Sequence, residues 1–174
     1  MFGRDAHLTP TDIFYIIETN KLEFGGEKMK CIRQARYDDV ERIAEILVFN
    51  YRLNFYPVFR DDSFYFEELT VAEQMDNYVN ELDSIWVYDD GVVKGFIQIE
   101  NTEIKKLFVE PVLQGNSIGA ELLEHLIAER NVNFLWALEK NTKAIAFYKR
   151  HGFDITNDKK YEEGTTEFLV RMER

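Results

Sequence analysis

Two short segments carry residue types and spacings that could do chemistry. The first runs Leu107-Phe108-Val109-Glu110-Pro111-Val112-Leu113-Gln114-Gly115-Asn116-Ser117-Ile118-Gly119-Ala120. An apolar run stops at a proline, a loop of small and polar residues follows, and an amphipathic stretch begins at once. Small residues let a ligand approach the backbone, and the first N–H groups of a helix have no internal partner. With the positive end of the helix dipole, they suit a phosphate. The dinucleotide pattern G-x-G-x-x-G is absent, and so is the Gly-Lys-Ser/Thr triplet of a P-loop. The second segment, Asn141-Thr142-Lys143-Ala144-Ile145-Ala146-Phe147-Tyr148-Lys149-Arg150-His151-Gly152-Phe153, follows the next apolar run. His7, His125 and His151 have no metal-ligand spacing, and the single Cys31 cannot build a thiolate site. No metal is expected.

Several elements must position these segments. Residues 30–36 read as a first strand, and Asp38 or Asp39 can cap a helix through Phe49 with Val40, Ile43, Ala44 and Leu47 on one face. The aromatic-rich stretch 50–69 shows neither clean period and reads as irregular or short helical structure, with a helix over 71–82 after it. Strands over 85–88 and 92–99 flank Asp89-Asp90-Gly91, a hairpin signal, and a third strand over 103–109 is stopped by Pro111. A helix over 117–130 has Ile118, Leu122, Leu123, Leu126 and Ile127 as its buried stripe. The continuously apolar run 134–138 is a central strand, 142–151 a short helix ended by Gly152, and 166–172 a final strand. Hairpins in the middle and strand–helix alternation later imply a mixed sheet with helices on its faces.

The chain has 174 residues, 45% of them hydrophobic and 30% charged, which suits one ordinary domain with a packed core. Thirty-two acidic residues against 21 basic give a net charge of −11. A surface that negative repels nucleic acid and anionic lipid and attracts cations. No apolar run is long enough to span a bilayer, and one cysteine fits a reducing, cytoplasmic compartment. Residues 1–28 differ in character from the rest. They read either as translated leader, with Met29 as the natural start, or as a genuine extension whose run Ile13-Phe14-Tyr15-Ile16-Ile17 docks on the domain or on a partner. On either reading residues 29–174 form the single domain.

The two chemistry-bearing segments resemble the signature motifs of the GNAT superfamily of acetyl-CoA-dependent N-acyltransferases. Gln114, Gly119 and Ala120 match the first, Gln/Arg-x-x-Gly-x-Gly/Ala; Asn141, Ala144, Phe147, Tyr148, Gly152 and Phe153 match the second, Asn-x-x-Ala-x-x-Phe-Tyr-x-x-x-Gly-Phe. Ser117 stands where the middle glycine of the first motif usually sits, and its hydroxyl is a candidate helix cap. Trp136 occupies a position where several members place a catalytic glutamate. The resemblance implies an α/β (α+β) three-layer fold whose central mixed, mostly antiparallel sheet is flanked by helices, with two strands splayed apart at Val109.

It also implies transfer of an acetyl group from acetyl-CoA to a primary amine by direct attack in a ternary complex. The backbone of Leu107, Phe108 and Val109 would pair with the pantetheine arm, and Gln114, Gly115, Asn116, Ser117, Ile118, Gly119 and Ala120 would take the pyrophosphate. Asn141 would cap its helix and bond the arm. Lys140, Lys143 and Lys149 would supply positive charge to the nucleotide. Tyr148 resembles the general acid that protonates the departing thiolate. A lysine-type amine needs roughly 4.6 kcal/mol to shed its proton at pH 7, so a base is useful. Glu103, eleven residues before Gln114, stands at the spacing of the base in histone-acetylating members, with Glu100 as fallback.

Acceptor choice falls to residues 51–66, where aromatic side chains interleave with Asp61 and Asp62 and could hold a cation carrying apolar surface. The acidic set Asp61, Asp62, Glu67 and Glu68 is suited to attract an amine rather than to deprotonate it. A small-molecule amine, a polyamine and a protein amine all fit. Homodimers are common in the family. The competing reading is a non-catalytic acyl-CoA-binding or regulatory module on the same fold.

Overall fold

A computed structural model describes residues 31–174, and the two readings of the amino-terminal stretch lie outside them. The described residues build a seven-stranded sheet in the order β1-β2-β3-β4-β5-β7-β6. Its strands are β1 (Ile32–Gln34), β2 (Ile85–Asp89), β3 (Val93–Glu100), β4 (Glu103–Val109), β5 (Phe134–Leu138), β6 (Asp154–Tyr161) and β7 (Phe168–Glu173). All neighbours are antiparallel except β4 and β5. Helices α1 (Val40–Asn54), α2 (Tyr56–Phe59) and α3 (Val71–Tyr78) belong to one face, and α4 (Ile118–Arg130) and α5 (Thr142–Arg150) to the other. The sheet therefore separates two cores. Ile43, Leu47, Tyr78 and Phe96 anchor the first; Ile97, Leu122, Leu126, Phe153 and Met172 anchor the second.

The central hairpin and β4 fall where the alternation places them. Helix α1 runs past Phe49 to Asn54, because Asn50 remains on its buried side, only 1% exposed. Asp39 does not cap it. That carboxylate sits in a 3₁₀ turn over Tyr37–Asp39, where Oδ2 accepts the Arg36 N–H at 2.7 Å and both oxygens accept the Arg33 guanidinium at 2.7 and 2.8 Å. Helix α3 stops at Tyr78, and the aromatic stretch resolves into the end of α1, the short α2 and a π-helical turn over Phe64–Glu68. Strand β6 has no counterpart in the sequence reading. It is exposed along nearly all its length, so no apolar alternation marks it.

Two irregularities open the sheet. Gln98 pairs with Lys106 and Ile99 with Ile104, so Lys105 is an extra residue, a β-bulge. Its effect is visible in the packing: Ile104 and Leu107, three apart, both join the core under α4, which plain alternation would forbid. Just there β5 leaves its neighbour. The parallel pairing covers only Glu103 with Phe134 and Ile104 with Leu135. The split thus opens at Ile104, five residues earlier than Val109, where the family resemblance put it. Beyond that point β4 has a strand partner on the β3 side alone.

Candidate active site

The free edge of β4 can be read from one bond. Glu110 N–H donates to Lys94 C=O at 2.8 Å, so by antiparallel alternation the N–H and C=O groups of Val109 and Leu107 turn away from β3 and into the split. The Val109 carbonyl is claimed there by the Asn50 side-chain amide at 3.0 Å and, at 3.4 Å, by that of Gln114. Gln114 also donates to Asn50 Oδ1 at 3.1 Å. Asn50 therefore ties the loop after β4 to the end of that strand. The sequence reading missed it; its signal was a polar residue seven after Ile43, in register with the apolar stripe of α1.

Past the split lies a cavity of about 420 Å³. Its lining includes Leu107, Phe108, Val109, Gln114, Gly115, Ser117, Ile118, Gly119, Ala120, Asn141 and Tyr148, every residue anticipated for the pantetheine arm and the pyrophosphate except Asn116. Asn116 instead turns its amide to the Leu113 carbonyl at 3.2 Å. The first intrahelical bond of α4 runs from Glu121 N–H to Ser117 C=O, so the N–H groups of Ile118, Gly119 and Ala120 precede it along the same wall. Asn141 Oδ1 accepts the Ala144 N–H at 3.1 Å, the helix cap expected of it. Of the three lysines, only Lys143 lines the cavity, joined by Arg150 and His151; Lys140 is held by Glu167 at 2.7 Å.

Ser117 explains why glycine is usual at its position. Its φ is +63°, in the left-handed region, and its hydroxyl makes no cap bond. The expected cap is absent because a side-chain cap goes with extended backbone at that residue, and Ser117 is left-handed. A non-glycine residue there costs about 1–2 kcal/mol, part of which glycine's own chain entropy offsets. Ser117→Gly is therefore expected to raise unfolding stability by up to about 1 kcal/mol, read as a rightward shift of the urea midpoint. An unchanged or lowered midpoint would remove strain at this turn from the account.

Tyr148 is 7% exposed and packs against Phe147 and Phe153, with ring centroids 5.2 and 5.7 Å away. Its hydroxyl bonds to nothing among the described residues, and burial pushes the phenol above its ordinary range. A phenol in that state stays protonated at neutral pH and is free to donate.

On the other side of Phe55 and Phe108, which border both spaces, lies a second cavity of about 570 Å³. Tyr51, Phe59, Phe64, Tyr65 and Trp136 supply rings, and Asp61, Glu103, Glu162 and Glu163 supply carboxylates. Glu103 is bound to Lys105 at 3.2 Å on the bulge. Among the other anticipated acids, Asp61 caps the Phe64 N–H and Asp62 accepts the Tyr56 hydroxyl. Lys160 lies over the Trp136 ring, 4.4 Å from its centroid. The turn between β6 and β7, which contributes Glu162–Thr165 by way of the unforeseen β6, was invisible to the sequence reading.

Residues 81–155 match the family model described as an acetyltransferase (GNAT) domain. Over that stretch the chain is similar to GNAT acetyltransferase domains. Among curated proteins it is 34% identical over 79 residues to the peptidyl-lysine N-acetyltransferase YjaB of Salmonella typhimurium, covering 41% of this chain and 51% of that protein. The YjaB of Escherichia coli is 33% identical over 67 residues, 36% of this chain and 42% of that one. The chain thus matches about half the length of these relatives or less. The solution structure of apo YjaB from Escherichia coli superposes with a TM-score of 0.62 at 22% identity, over 82% of this chain and 95% of that one. PaiA N-acetyltransferase from Thermoplasma acidophilum in complex with coenzyme A gives 0.60 at 18%, over 82% and 98%. These likenesses establish the mixed, mostly antiparallel GNAT fold for residues beyond the matched motifs.

Proposed function

We propose that this GNAT domain transfers an acetyl group from acetyl-CoA to a primary amine. The observation that carries the reading is the split sheet itself: two cavities, one on each side of the exposed β4 edge, that meet at Phe55 and Phe108. In this reading the pantetheine arm adds to the free edge at Leu107 and Val109, and the diphosphate meets the amides of Ile118–Ala120 with Lys143 and Arg150 nearby. The amine enters through the ring-lined cavity, where Asp61, Glu162 and Glu163 favour a cation. It attacks the thioester directly. Glu103, directly or through water, takes the amine proton, and Tyr148 returns one to the leaving thiolate. Two relatives named as peptidyl-lysine N-acetyltransferases support a lysine side chain on a protein as acceptor.

The deciding experiment measures free thiol from acetyl-CoA with a panel of lysine peptides, amino-terminal peptides and polyamines. Amine-dependent thiol release is expected, strongest with a lysine peptide. Thermal stabilisation by acetyl-CoA without turnover on any amine would replace the enzyme with a binding module, and no stabilisation would refute both.

A further inference from the structure

The acceptor-side cavity contains an amine of its own. Lys106 stands on β4 one residue past the bulge and lines that cavity, half-buried. Its lysine neighbours are occupied: Lys105 bridges Glu103 and Glu100, and Lys160 covers Trp136. Lys106 has no carboxylate at ion-pair distance among the described residues. Among the described residues its one hydrogen-bond partner is the Tyr78 hydroxyl, 3.0 Å from Nζ, and the amine also lies 4.9 Å from the centre of that ring. Tyr78 is 1% exposed, so its own proton has no solvent outlet. The pair is best satisfied when the lysine is neutral, because the phenol can then donate to the nitrogen lone pair. Burial acts in the same direction and pulls the ammonium below its usual range, against a weaker opposing pull from Glu81.

Position matters as much as charge. Lys106 and Phe108 are two apart on a regular stretch of β4 and share a face, and Phe108 borders both cavities. A lysine stem is long enough to swing from Tyr78 toward the backbone of Leu107, the edge assigned above to the pantetheine arm.

We propose that Lys106 is a self-acetylation site, modified in its own active site by the acetyl-CoA bound to the same chain. The inference rests on the proposed acetyl donor site. Lys106 Nζ attacks the thioester carbonyl, a C–N bond forms, the C–S bond breaks, and the proton lost from nitrogen ends on the departing sulfur. The products are an acetyl-lysine and coenzyme A thiol. The modification removes from the acceptor wall an amine that has no carboxylate partner among the described residues, so self-acetylation also lowers turnover on outside amines.

The test is peptide mapping by mass spectrometry after incubating the full chain with acetyl-CoA and no acceptor, alongside the Lys106→Arg and Lys106→Gln variants. The expected result is a one-acetyl mass increase on Lys106 at a rate that is independent of protein concentration and saturates with acetyl-CoA. It should exceed that of exposed lysines such as Lys159 by about a hundredfold, as expected for an amine held beside its reactant. Both variants should lack the increase at position 106. A Lys106 left unmodified while added amines are acetylated overturns this proposal and leaves the enzyme reading standing. So does modification at the pace of exposed lysines, which is ordinary chemical acetylation. Absence of transfer to Lys106 and to every added amine overturns the enzyme reading as well.

Discussion

Replacing Tyr148 with phenylalanine is expected to slow acyl transfer by about a hundredfold to a thousandfold, the range typical of a lost general acid, while the fold persists. The ring contacts with Phe147 and Phe153 survive the substitution, and among the described residues the hydroxyl has no bond to lose. The unfolding free energy should therefore move by less than about 1 kcal/mol. Rate and stability separate in this variant, which a merely structural tyrosine would not allow. The decisive readout is kcat by thiol detection beside a urea melt: an unchanged kcat would strip Tyr148 of the proton-donor role, and a collapse of both would make it a core residue.

The same phenol has a pH signature. Its ordinary pKa is about 10, and burial raises it in the folded chain. Tyr148 thus remains loaded with its proton through neutral and mildly alkaline conditions and imposes no alkaline limb there. For folding, the raised value means the unfolded chain loses this proton first. The stabilising contribution is complete below the unfolded pKa and is lost as the pH climbs through it toward the folded value.

The second large effect is expected at Arg33→Met, about 3 kcal/mol of lost stability, because the buried Asp39 carboxylate would lose its cation and be left uncompensated. Arg33 reaches two carboxylates at once, Asp39 in the turn before α1 and Asp89 at the end of β2, the latter at 2.8 and 3.0 Å. Asp39 is 6% exposed. Burial works against its charge, yet the hydrogen bonds from Arg33 and from the Arg36 N–H hold its carboxyl below the ordinary range. Asp89 is lowered too, first by Arg33 and then by the Gly91 N–H. Their stability is present above the unfolded carboxylate pKa and lost as the pH falls through that value, about 3.9, toward the folded ones. In wild type, urea midpoints should drop steeply in this acid window. Arg33→Met should start lower and flatten that drop; an acid dependence identical to wild type would show that other carboxylates govern it.

Much of the first cavity was legible because it depends on backbone and small residues. Gly115 at φ +88° and the cap at Asn141 follow from residue type, and residues 107–109, 113–115 and 117–120 line that cavity. The second cavity was not legible, since it is assembled from distant pieces. Rings from the α1–α3 connection meet the turn between β6 and β7 across β4, and a strand as exposed as β6 leaves no periodic trace. Asn50 and Lys106 share that obscurity. Each is a polar residue on an element otherwise read for its apolar face, and its importance comes from one partner far away in the chain.

Lys105 amounts to a single residue of slack in an otherwise regular ladder. Deleting it would bring Gln98 and Ile99 into unbroken step with β4, and every side chain upstream of the deletion would change sides relative to those downstream. Ile104 would then face away from Leu135 and the seam between β4 and β5 would have to be rebuilt. The wedge-shaped opening, and with it any place for a second molecule to lie along the strand, hangs on one amino acid at the border of the second cavity.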